Sequence, residues 1–324
     1  MRLKYGKDIY NHKKILTVLF ALVFLVSLAV GLQPAYANGD VQPLVDTQWL
    51  ADNLNNKDLK IIHVASMGGK KEHFDMKHVP GSVYLGIGEF MGDLGGGSTP
   101  PDKAKFEASM GALGINNDSH VIILGGSGDN VFIHGAFWLM KYHGHKKVSL
   151  LDGGVRKWMK EGRKTSGKPT PIKNTKYSAS PDSSIFATAD DVLKSINNSK
   201  AAIVDVRSPD EYTGKNALDK STGKDAMGNK RTGHVPGAIH MEFYSSNMKQ
   251  DGTFKSLKDL QASYEAKGVT KDKEIIIYCQ AGVRAANTHF VLQYLLGYPN
   301  VKNYVGSWGE WSSRLDPSKY PVEQ

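Results

Sequence analysis

The sequence contains the same landmarks twice, in the same order and at a nearly constant spacing. Three matched pairs show this, with offsets of 156, 154 and 153 residues: HVPG at 78–81 and at 234–237, VIIL at 121–124 and IIIY at 275–278, and Trp158 and Trp311. A period near 155 residues is too long for a solenoid repeat and has the size of a whole domain. The chain is therefore predicted to contain two copies of one fold.

A segment of different composition separates the two copies. Residues 162–184 read GRKTSGKPTPIKNTKYSASPDSS and are rich in proline, serine and lysine, which is typical of a linker. We therefore divide the chain into a signal peptide at 1–37, a first domain at 38–163, a linker at 164–184 and a second domain at 185–324.

Short apolar runs alternate with helical patterns in each half. In the second half, AAIVDV at 201–206 and EIIIY at 274–278 lack polar alternation, which indicates strands buried on both faces of a parallel sheet. The apolar residues of 285–296 recur with helical spacing, which predicts a helix there. The alternation predicts an α/β fold in which each domain is a mostly parallel sheet with helices on both faces. In such folds, ligand sites lie beyond the carboxyl ends of the strands.

The first 37 residues have the features of a secretory signal. Basic residues end at Lys14, an apolar run of sixteen residues covers 15–30, and Ala35-Tyr36-Ala37 forms a small-x-small cleavage site. Sixteen residues are fewer than the ~20 that a membrane-spanning helix needs, so cleavage near Ala37 is favoured over a permanent anchor. We expect an exported protein, periplasmic or extracellular, with no stable membrane anchor.

Charge and cysteine content narrow the classes of partner and site. The formal net charge of +9 falls to +5 without residues 1–37, with 36 basic and 31 acidic residues left. A net charge this small does not require a nucleic-acid partner, and it is compatible with a small anionic substrate. A single cysteine in the chain excludes an intramolecular disulfide and a multi-cysteine metal site.

The one cysteine, Cys279, stands directly after the predicted strand at 274–278 and shortly before a helix. The loop between them, Cys279-Gln-Ala-Gly-Val-Arg284, is short enough to curl so that several backbone N–H groups point at one centre. The positive end of the helix dipole and the nearby Arg284 favour the thiolate over the thiol. A buried structural cysteine is the alternative, but this position favours a reactive role.

Longer motifs in both halves form a pattern that is specific to one family. They are DVRSPDEY at 205–212, GHVPGA at 233–238, CQAGVRA at 279–285, GSWGEW at 306–311 and, in the first half, LDGGVRKW at 151–158. Together they resemble the tandem-domain rhodaneses, which are thiosulfate and 3-mercaptopyruvate sulfurtransferases. The resemblance covers nearly all of the chain after residue 37 and implies two similar rhodanese-like domains, with the active cysteine in the second.

The first half lacks the reactive groups. Gly125 stands where the second half has Cys279, and His63-Val-Ala65 stands where it has Asp205-Val-Arg207. The first domain is therefore predicted to be non-catalytic, to pack against the second and to help wall the cleft.

The resemblance also implies roles for single residues. By the resemblance, Arg207 would bind the anionic group of the substrate. The residues themselves make Arg284, at the end of the loop, a second candidate, and they make Asp205 a candidate for orienting Arg207. The backbone of four loop residues would form an anion cradle: Gln280, Ala281, Gly282 and Val283. No cofactor and no metal are expected.

The residues themselves leave two questions open. The alternative for Arg207 is a salt-bridged residue tied to Asp210 or Glu211, and the alternative for Asp205 is a plain acid at a strand end. The loop also departs from the family, since Arg284 replaces a threonine of well-known members and Ala281 replaces a lysine of typical thiosulfate enzymes.

These observations predict a thiosulfate sulfurtransferase. It would move sulfane sulfur from thiosulfate, through a persulfide on Cys279, to cyanide or a thiol, including a protein thiol or a reductant. Thiosulfate is expected to be preferred, because two guanidinium groups suit a compact dianion. The alternatives are a 3-mercaptopyruvate sulfurtransferase, a non-catalytic sulfane-sulfur carrier, and a phosphatase or arsenate reductase, whose Cys-x5-Arg loop is one residue longer.

One further pattern is predicted to be structural. His143-Gly-His145 resembles a metal-binding pair, but no third ligand accompanies it in the sequence. We interpret it as a surface turn.

Overall fold

Each half of the duplicated sequence forms a five-stranded parallel sheet. The computed structural model describes residues 41–66, 70–86, 99–100, 102–126, 131–215, 218 and 221–324. The first sheet contains β1 (Leu44–Val45), β2 (Leu59–Val64), β3 (Ser82–Leu85), β4 (His120–Gly125) and β5 (Val148–Leu151). The second contains β6 (Phe186–Ala187), β7 (Ala201–Asp205), β8 (Ile239–His240), β9 (Glu274–Tyr278) and β10 (Val301–Tyr304).

The two sheets have the same topology. The strand order is β1-β5-β4-β2-β3 in the first and β6-β10-β9-β7-β8 in the second, and neighbouring strands are parallel throughout. Parallel strands have to be joined by crossovers, and helices supply most of them. The predicted α/β fold with two similar domains is confirmed.

Eleven α-helices lie among the described residues. They are α1 (Thr47–Asn53), α2 (Lys71–Met76), α3 (Lys103–Ala112), α4 (Val131–Tyr142), α5 (Gly154–Lys160), α6 (Ala189–Ser195), α7 (Pro209–Tyr212), α8 (Phe243–Asn247), α9 (Leu257–Glu265), α10 (Val283–His289) and α11 (Ser307–Ser313). In the part of the chain that the structure describes, none of them combines the length and the apolar character needed to cross a membrane. The signal peptide predicted at 1–37 lies outside the described residues.

Both faces of each sheet are buried. On β4, Ile123 belongs to an apolar cluster with residues of α3 and α4, whereas Ile122 belongs to one with residues of α1 and α5. On β9, Ile277 and Ile276 divide between two clusters in the same way. Burial on both faces explains why these strands show no polar alternation.

The two halves pack against each other through α4 and the segment around α10. The ring of Phe137 lies 4.8 Å from that of Phe290 and 5.1 Å from that of Tyr294. The side-chain amide of Asn287 donates to Nε2 of His134 at 3.0 Å. One apolar cluster contains residues of both halves, so the two sheets share a core.

The helix predicted over 285–296 differs from the observed one in two ways. The α-helix α10 already begins at Val283, because Gly282 adopts φ +76° and forms a left-handed cap that glycine takes without strain. α-Helical geometry ends at His289, and a π-helix follows over Phe290–Leu295. The strand predicted at 201–206 ends one residue early, at Asp205.

The linker is hydrogen-bonded to the first half along its length. Thr175 donates from its backbone N–H to the carbonyl of Gly111 at 3.0 Å, and Ser180 donates to the carbonyl of His143 at 3.0 Å. Residues 163–182 form no helix, and their only strand-like contact is an isolated bridge between Ser166 and His78.

His143 and Gly144 form a turn, as predicted, and Gly144 is exposed, but the expectation that the two histidines lie at the surface is wrong. Each histidine is 1% exposed. His145 lies 3.2 Å from the hydroxyl of Tyr177, and the ring of His143 stacks on Phe106 at 4.0 Å. The pair belongs to the core because α4 ends there and the linker covers it. No group of residues suited to a metal ion is found where the structure describes the chain.

Candidate active site

Cys279 lies at the carboxyl end of β9, at the edge of the sheet where sites of α/β folds form. The residue is 1% exposed, and the loop that it opens reaches α10 within four residues. Gly282 closes the loop with its positive φ, and a Cβ at that position would lie 3.0 Å from Cα of Val305. Glycine is therefore required there both for its conformation and for the close approach of the next chain segment.

The start of α11 holds this loop in place. The backbone N–H groups of Trp308 and Gly309 donate to the carbonyls of Cys279 and Gln280, each at 3.0 Å. The hydroxyl of Ser307 accepts from the N–H of Cys279 at 3.1 Å and from that of Gly282 at 3.0 Å. These four bonds bind the loop to one helix terminus and define its curvature.

That arrangement leaves several backbone N–H groups available. In a trans peptide the N–H points opposite to the C=O, so the N–H groups of Gln280 and Ala281 point away from α11. Those of Val283 and Arg284 belong to the first helical turn, where no intrahelical acceptor exists. Within the described part of the chain, no protein group accepts from any of the four. Three of them, Gln280, Ala281 and Val283, belong to the predicted anion cradle. The predicted donor Gly282 is instead bound to Ser307, and Arg284 supplies a donor that was not predicted.

Arg284 is bound to a carboxylate. Its Nη1 and Nη2 atoms donate to the two carboxylate oxygens of Glu211, each at 2.7 Å. Burial acts to lower the pKa of Arg284, but the bonds to Glu211 and the charge of Cys279 outweigh it and raise that pKa. Burial acts to raise the pKa of Glu211, but Arg284 and the N–H and hydroxyl of Ser208 lower it to about 2. The pair is therefore ionised.

Arg207 belongs to a buried network. Its Nη2 atom donates to Oδ2 of Asp205 at 2.6 Å and to the carbonyl of Gly233 at 2.7 Å. The guanidinium lies 4.4 Å from the ring centroid of Trp308, and the hydroxyl of Tyr278 donates to Asp205 at 2.6 Å. Arg207 is 1% exposed and Asp205 is fully buried. Arg207 therefore supports α11, the helix that holds the Cys279 loop.

Gln280 connects the loop to the segment before the second HVPG turn. Its amide donates to Oδ1 of Asn229 at 2.8 Å, and Asn229 donates back to Oε1 of Gln280 at 3.2 Å. Asn229 is 3% exposed and also accepts from the hydroxyl of Ser312 at 3.2 Å. The reciprocal amide pair fixes the first loop residue after the cysteine.

The model of one protein family matches both halves of the chain. The rhodanese-like domain model matches residues 46–161 and 188–314, which together make up most of the sequence. The chain belongs to the rhodanese family. Its two rhodanese-like domains correspond to the two sheets described above, and the family predicted from the motifs is confirmed.

Similar proteins of the rhodanese family carry two kinds of name. The sulfur carrier protein TtuD of Thermus thermophilus is 38% identical over 291 residues, covering 86% of this chain and 95% of that protein. A Saccharopolyspora erythraea protein, provisionally named a thiosulfate sulfurtransferase, is 38% identical over 283 residues, covering 87% of this chain and 97% of that protein.

A solved rhodanese structure is similar over nearly its whole length. SseA from Escherichia coli, described with the rhodanese fold and the catalytic mechanism of 3-mercaptopyruvate sulfotransferases, matches with a TM-score of 0.69 and 27% identity. The match covers 83% of this chain and 99% of that chain.

At the same sheet edge of the first rhodanese-like domain, the positions that match Cys279 and Arg207 hold Gly125 and Ala65. Gly125 ends β4 where Cys279 follows β9, and His63 of β2 occupies the register position of Asp205. Burial and the charge of His78 lower the pKa of His63 to about 4, so this histidine is neutral at pH 7. An apolar neighbour, Leu124, stands where the second domain has Tyr278.

The structure brings some of the predicted site residues together and binds others elsewhere. The Cys279 loop and Arg284 form one group, whereas Arg207 and Asp205 form the buried network beside it. The alternative of a salt-bridged Arg207 is found, but with Asp205 as the partner. Asp210 lies near Lys215, and Glu211 binds Arg284. Substrate binding by Arg207 and Arg284 stays a prediction. The Arg207 atom that remains available to bind a substrate is Nη1, which has no acceptor among the described residues.

Three residues of the site were missed by sequence reasoning: Glu211, Asn229 and Ser307. Ser307 had a local signal, since it lies in the GSWGEW motif, but its contact with the cysteine loop spans 28 positions. The contacts of Glu211 with Arg284 and of Asn229 with Gln280 span 73 and 51 positions. Only the fold brings such residues together.

Proposed function

We propose that the protein is a thiosulfate sulfurtransferase that works through a persulfide on Cys279. The observation that carries the proposal is the position of the only cysteine, at the start of a strand-to-helix loop with four unaccepted backbone N–H groups. A small cluster of N–H groups at a helix N-terminus suits a sulfur anion. The family and the names of its similar members support the same chemistry.

The reaction consists of two displacements at sulfur. The Cys279 thiolate attacks the outer sulfur of thiosulfate, the S–S bond of the donor breaks, and sulfite leaves with the bonding electron pair. Cys279 then holds a persulfide anion, which the loop N–H groups stabilise. Cyanide or a thiolate attacks the terminal sulfur, and the Cys279 thiolate leaves with the electron pair of the broken bond. The enzyme returns to its starting state without a redox partner.

The donor is the part of the proposal that the site constrains least. Thiosulfate is favoured over 3-mercaptopyruvate because Arg284 adds a guanidinium to the loop. The test is kcat/KM for both donors with cyanide as the shared acceptor, in the wild type and in Arg284→Thr. We expect the wild type to favour thiosulfate and the variant to shift towards mercaptopyruvate. A wild-type preference for mercaptopyruvate contradicts the assignment.

A sulfane-sulfur carrier is the second candidate. Two observations favour it: Cys279 is 1% exposed, and a 38% identical protein is named a sulfur carrier. A carrier forms the persulfide once and turns over slowly, whereas an enzyme completes many cycles with thiosulfate and cyanide. Mass spectrometry of a one-sulfur adduct, combined with steady-state turnover, separates the two. Hydrolysis of p-nitrophenyl phosphate tests the phosphatase alternative.

The proposal also includes export of the protein across the cytoplasmic membrane. The apolar run at 15–30 and the Ala35-Tyr36-Ala37 site support cleavage near Ala37 and a location outside the cytoplasmic membrane. The mass of the protein recovered from its native host tests this. A mass that retains residues 1–37 contradicts cleavage.

A further inference from the structure

Both cations of the site are already paired with carboxylates. Arg207 is bound to Asp205, and these two side chains are 2% and 0% exposed. Arg284 is bound to Glu211, and these side chains are 21% and 11% exposed. The first pair is enclosed, whereas the second is partly open to solvent. An anionic sulfur donor therefore approaches arginines that are already paired with carboxylates. Only Arg284, in the partly open pair, has room to bind the donor in place of its carboxylate.

Glu211 is held in position from two sides. It is the third residue of α7, and it forms a capping box with Ser208, whose N–H donates to Oε2 of Glu211 at 3.0 Å. Both carboxylate oxygens also accept from Arg284. Its pKa of about 2 keeps it ionised at neutral pH. Glu211 therefore keeps a negative charge beside Arg284, the last residue of the Cys279 loop.

We propose that Glu211 determines how strongly the Cys279 loop discriminates between dianionic and monoanionic sulfur donors. Its carboxylate competes with the anionic group of the donor for the two terminal nitrogens of Arg284. The competition weakens binding most for a dianion, because like charges brought together on one guanidinium repel each other. The proposal rests on the proposed sulfur transfer and extends it, since it assigns the choice of donor to a residue outside the cysteine loop.

The test compares Glu211→Gln with the matched variant Asp210→Asn. Glutamine keeps the capping box and one acceptor for Arg284 while removing the charge. Asp210 precedes it on the same helix, with a side chain 68% exposed, so its variant makes the same charge change away from Arg284. The measured quantity is the ratio of kcat/KM for thiosulfate, a dianion, to that for 3-mercaptopyruvate, a monoanion, at fixed ionic strength.

We expect Glu211→Gln to raise this ratio about tenfold, mainly through the KM for thiosulfate, and to leave the KM for cyanide unchanged. Asp210→Asn should change the ratio less than about twofold. An unchanged ratio in Glu211→Gln, or an equal rise in both variants, overturns the proposal. If Glu211→Gln fails to fold, Glu211→Asp shortens the carboxylate by one methylene and should raise the ratio by a smaller factor.

A second measurement separates this proposal from the proposed function. The alkylation rates of Cys279 by iodoacetate, an anion, and by iodoacetamide, a neutral analogue, report the charge at the loop without any turnover, and the single cysteine makes the signal unambiguous. Glu211→Gln should raise the ratio of the anionic to the neutral rate several-fold, and Asp210→Asn should not. A wild type without thiosulfate turnover contradicts the proposed function alone, whereas an unchanged alkylation ratio contradicts the role of Glu211 alone.

Discussion

The two rhodanese-like domains share even the details of their turns. In each HVPG turn the histidine stacks on an aromatic ring of the preceding helix, at 4.2 Å between His78 and Phe74 and at 3.8 Å between His234 and Tyr212. In each, Nδ1 of the histidine lies within hydrogen-bond distance of the carbonyl of that aromatic residue. The scaffold has therefore kept its packing in both halves, while only the second half has the cysteine.

A single position, the first residue of the last helix in each half, shows how the halves differ. Gly154 in the first half and Ser307 in the second both adopt a positive φ, of 58° and 52°. Glycine takes this conformation freely, whereas serine is strained in it. In the second half the strained serine donates to the carbonyl of Tyr304 and accepts two N–H groups of the Cys279 loop. The comparison indicates that strain is tolerated where it orders the reactive loop.

The sharpest test of the comparison moves the cysteine between the halves. Cys279→Ser should abolish sulfur transfer, because serine cannot carry a stable sulfane sulfur. Adding Gly125→Cys to that variant should not restore turnover, because the first half has no arginine at the position of Arg207. Turnover with thiosulfate and cyanide measures both variants. Recovered activity in the double variant would show that position alone makes the cysteine reactive.

The second prediction concerns arginines that stack on tryptophan in each half. Arg207→Ala should lower the free energy of unfolding by about 3–5 kcal/mol, because it leaves the buried Asp205 unpaired. Arg163 lies 5.5 Å from the ring of Trp158 and binds Glu161 near the surface. Arg163→Ala should therefore lower the free energy of unfolding by less than about 1 kcal/mol. Urea denaturation measures both. Similar losses would contradict the assignment of Arg207 to a buried support.

The third prediction is that mild acid weakens the first half before the second. Among the described residues, the pKa is lowered for His63, His120, His134 and His145 in the first half and for His289 in the second half. Burial is the largest cause in each case, and the folded pKa is about 3 or about 4.

The sign follows from proton uptake. The unfolded state binds these protons near pH 6.5 and the folded state does not, so stability is complete above about pH 6.5 and falls as the pH drops towards 4. Each fully buried histidine contributes up to about 1.4 kcal/mol per pH unit in that window. Glu211 acts in a lower window, because its stabilising contribution is lost as the pH falls from about 4.5 towards 2. Hydrogen exchange at pH 7 and pH 5, corrected for intrinsic rates, should show the first half opening more; equal opening contradicts the prediction.

The smallest expected effect comes from exchanging the residues at the positive φ. Ser307→Gly relieves backbone strain but removes three hydrogen bonds, so we expect the free energy of unfolding to change by less than about 1 kcal/mol. Turnover should fall several-fold, because the Cys279 loop loses two of its four bonds to α11. The matched change, Gly154→Ser, should lower stability slightly and leave turnover unchanged. A turnover unaffected by Ser307→Gly would show that α11 holds the loop through Trp308 and Gly309 alone.

Much of the architecture followed from local patterns in the sequence. The duplication predicted two equivalent domains, and the unbroken apolar runs predicted strands covered on both faces, because a strand with one wet face would alternate. Cys279 was placed at the end of a buried strand by its immediate neighbours. The departures were local as well: the start of α10 and the buried His143-Gly-His145 depended on a glycine conformation and on a linker that folds back.

Pairing of charges was decided only by the tertiary structure. The sequence offered Asp205, Asp210 and Glu211 as partners of Arg207, because all three are close to it along the chain, and it did not choose among them. In the fold, Asp205 lies at the end of its strand beside Tyr278 and binds Arg207. Glu211 instead binds Arg284, which is 73 positions away in the sequence. Electrostatic energy depends on distance in space and on burial, and neither quantity is contained in sequence spacing. The sequence by itself therefore identified the nucleophile and its loop, while the fold determined which carboxylate shares the loop's cation.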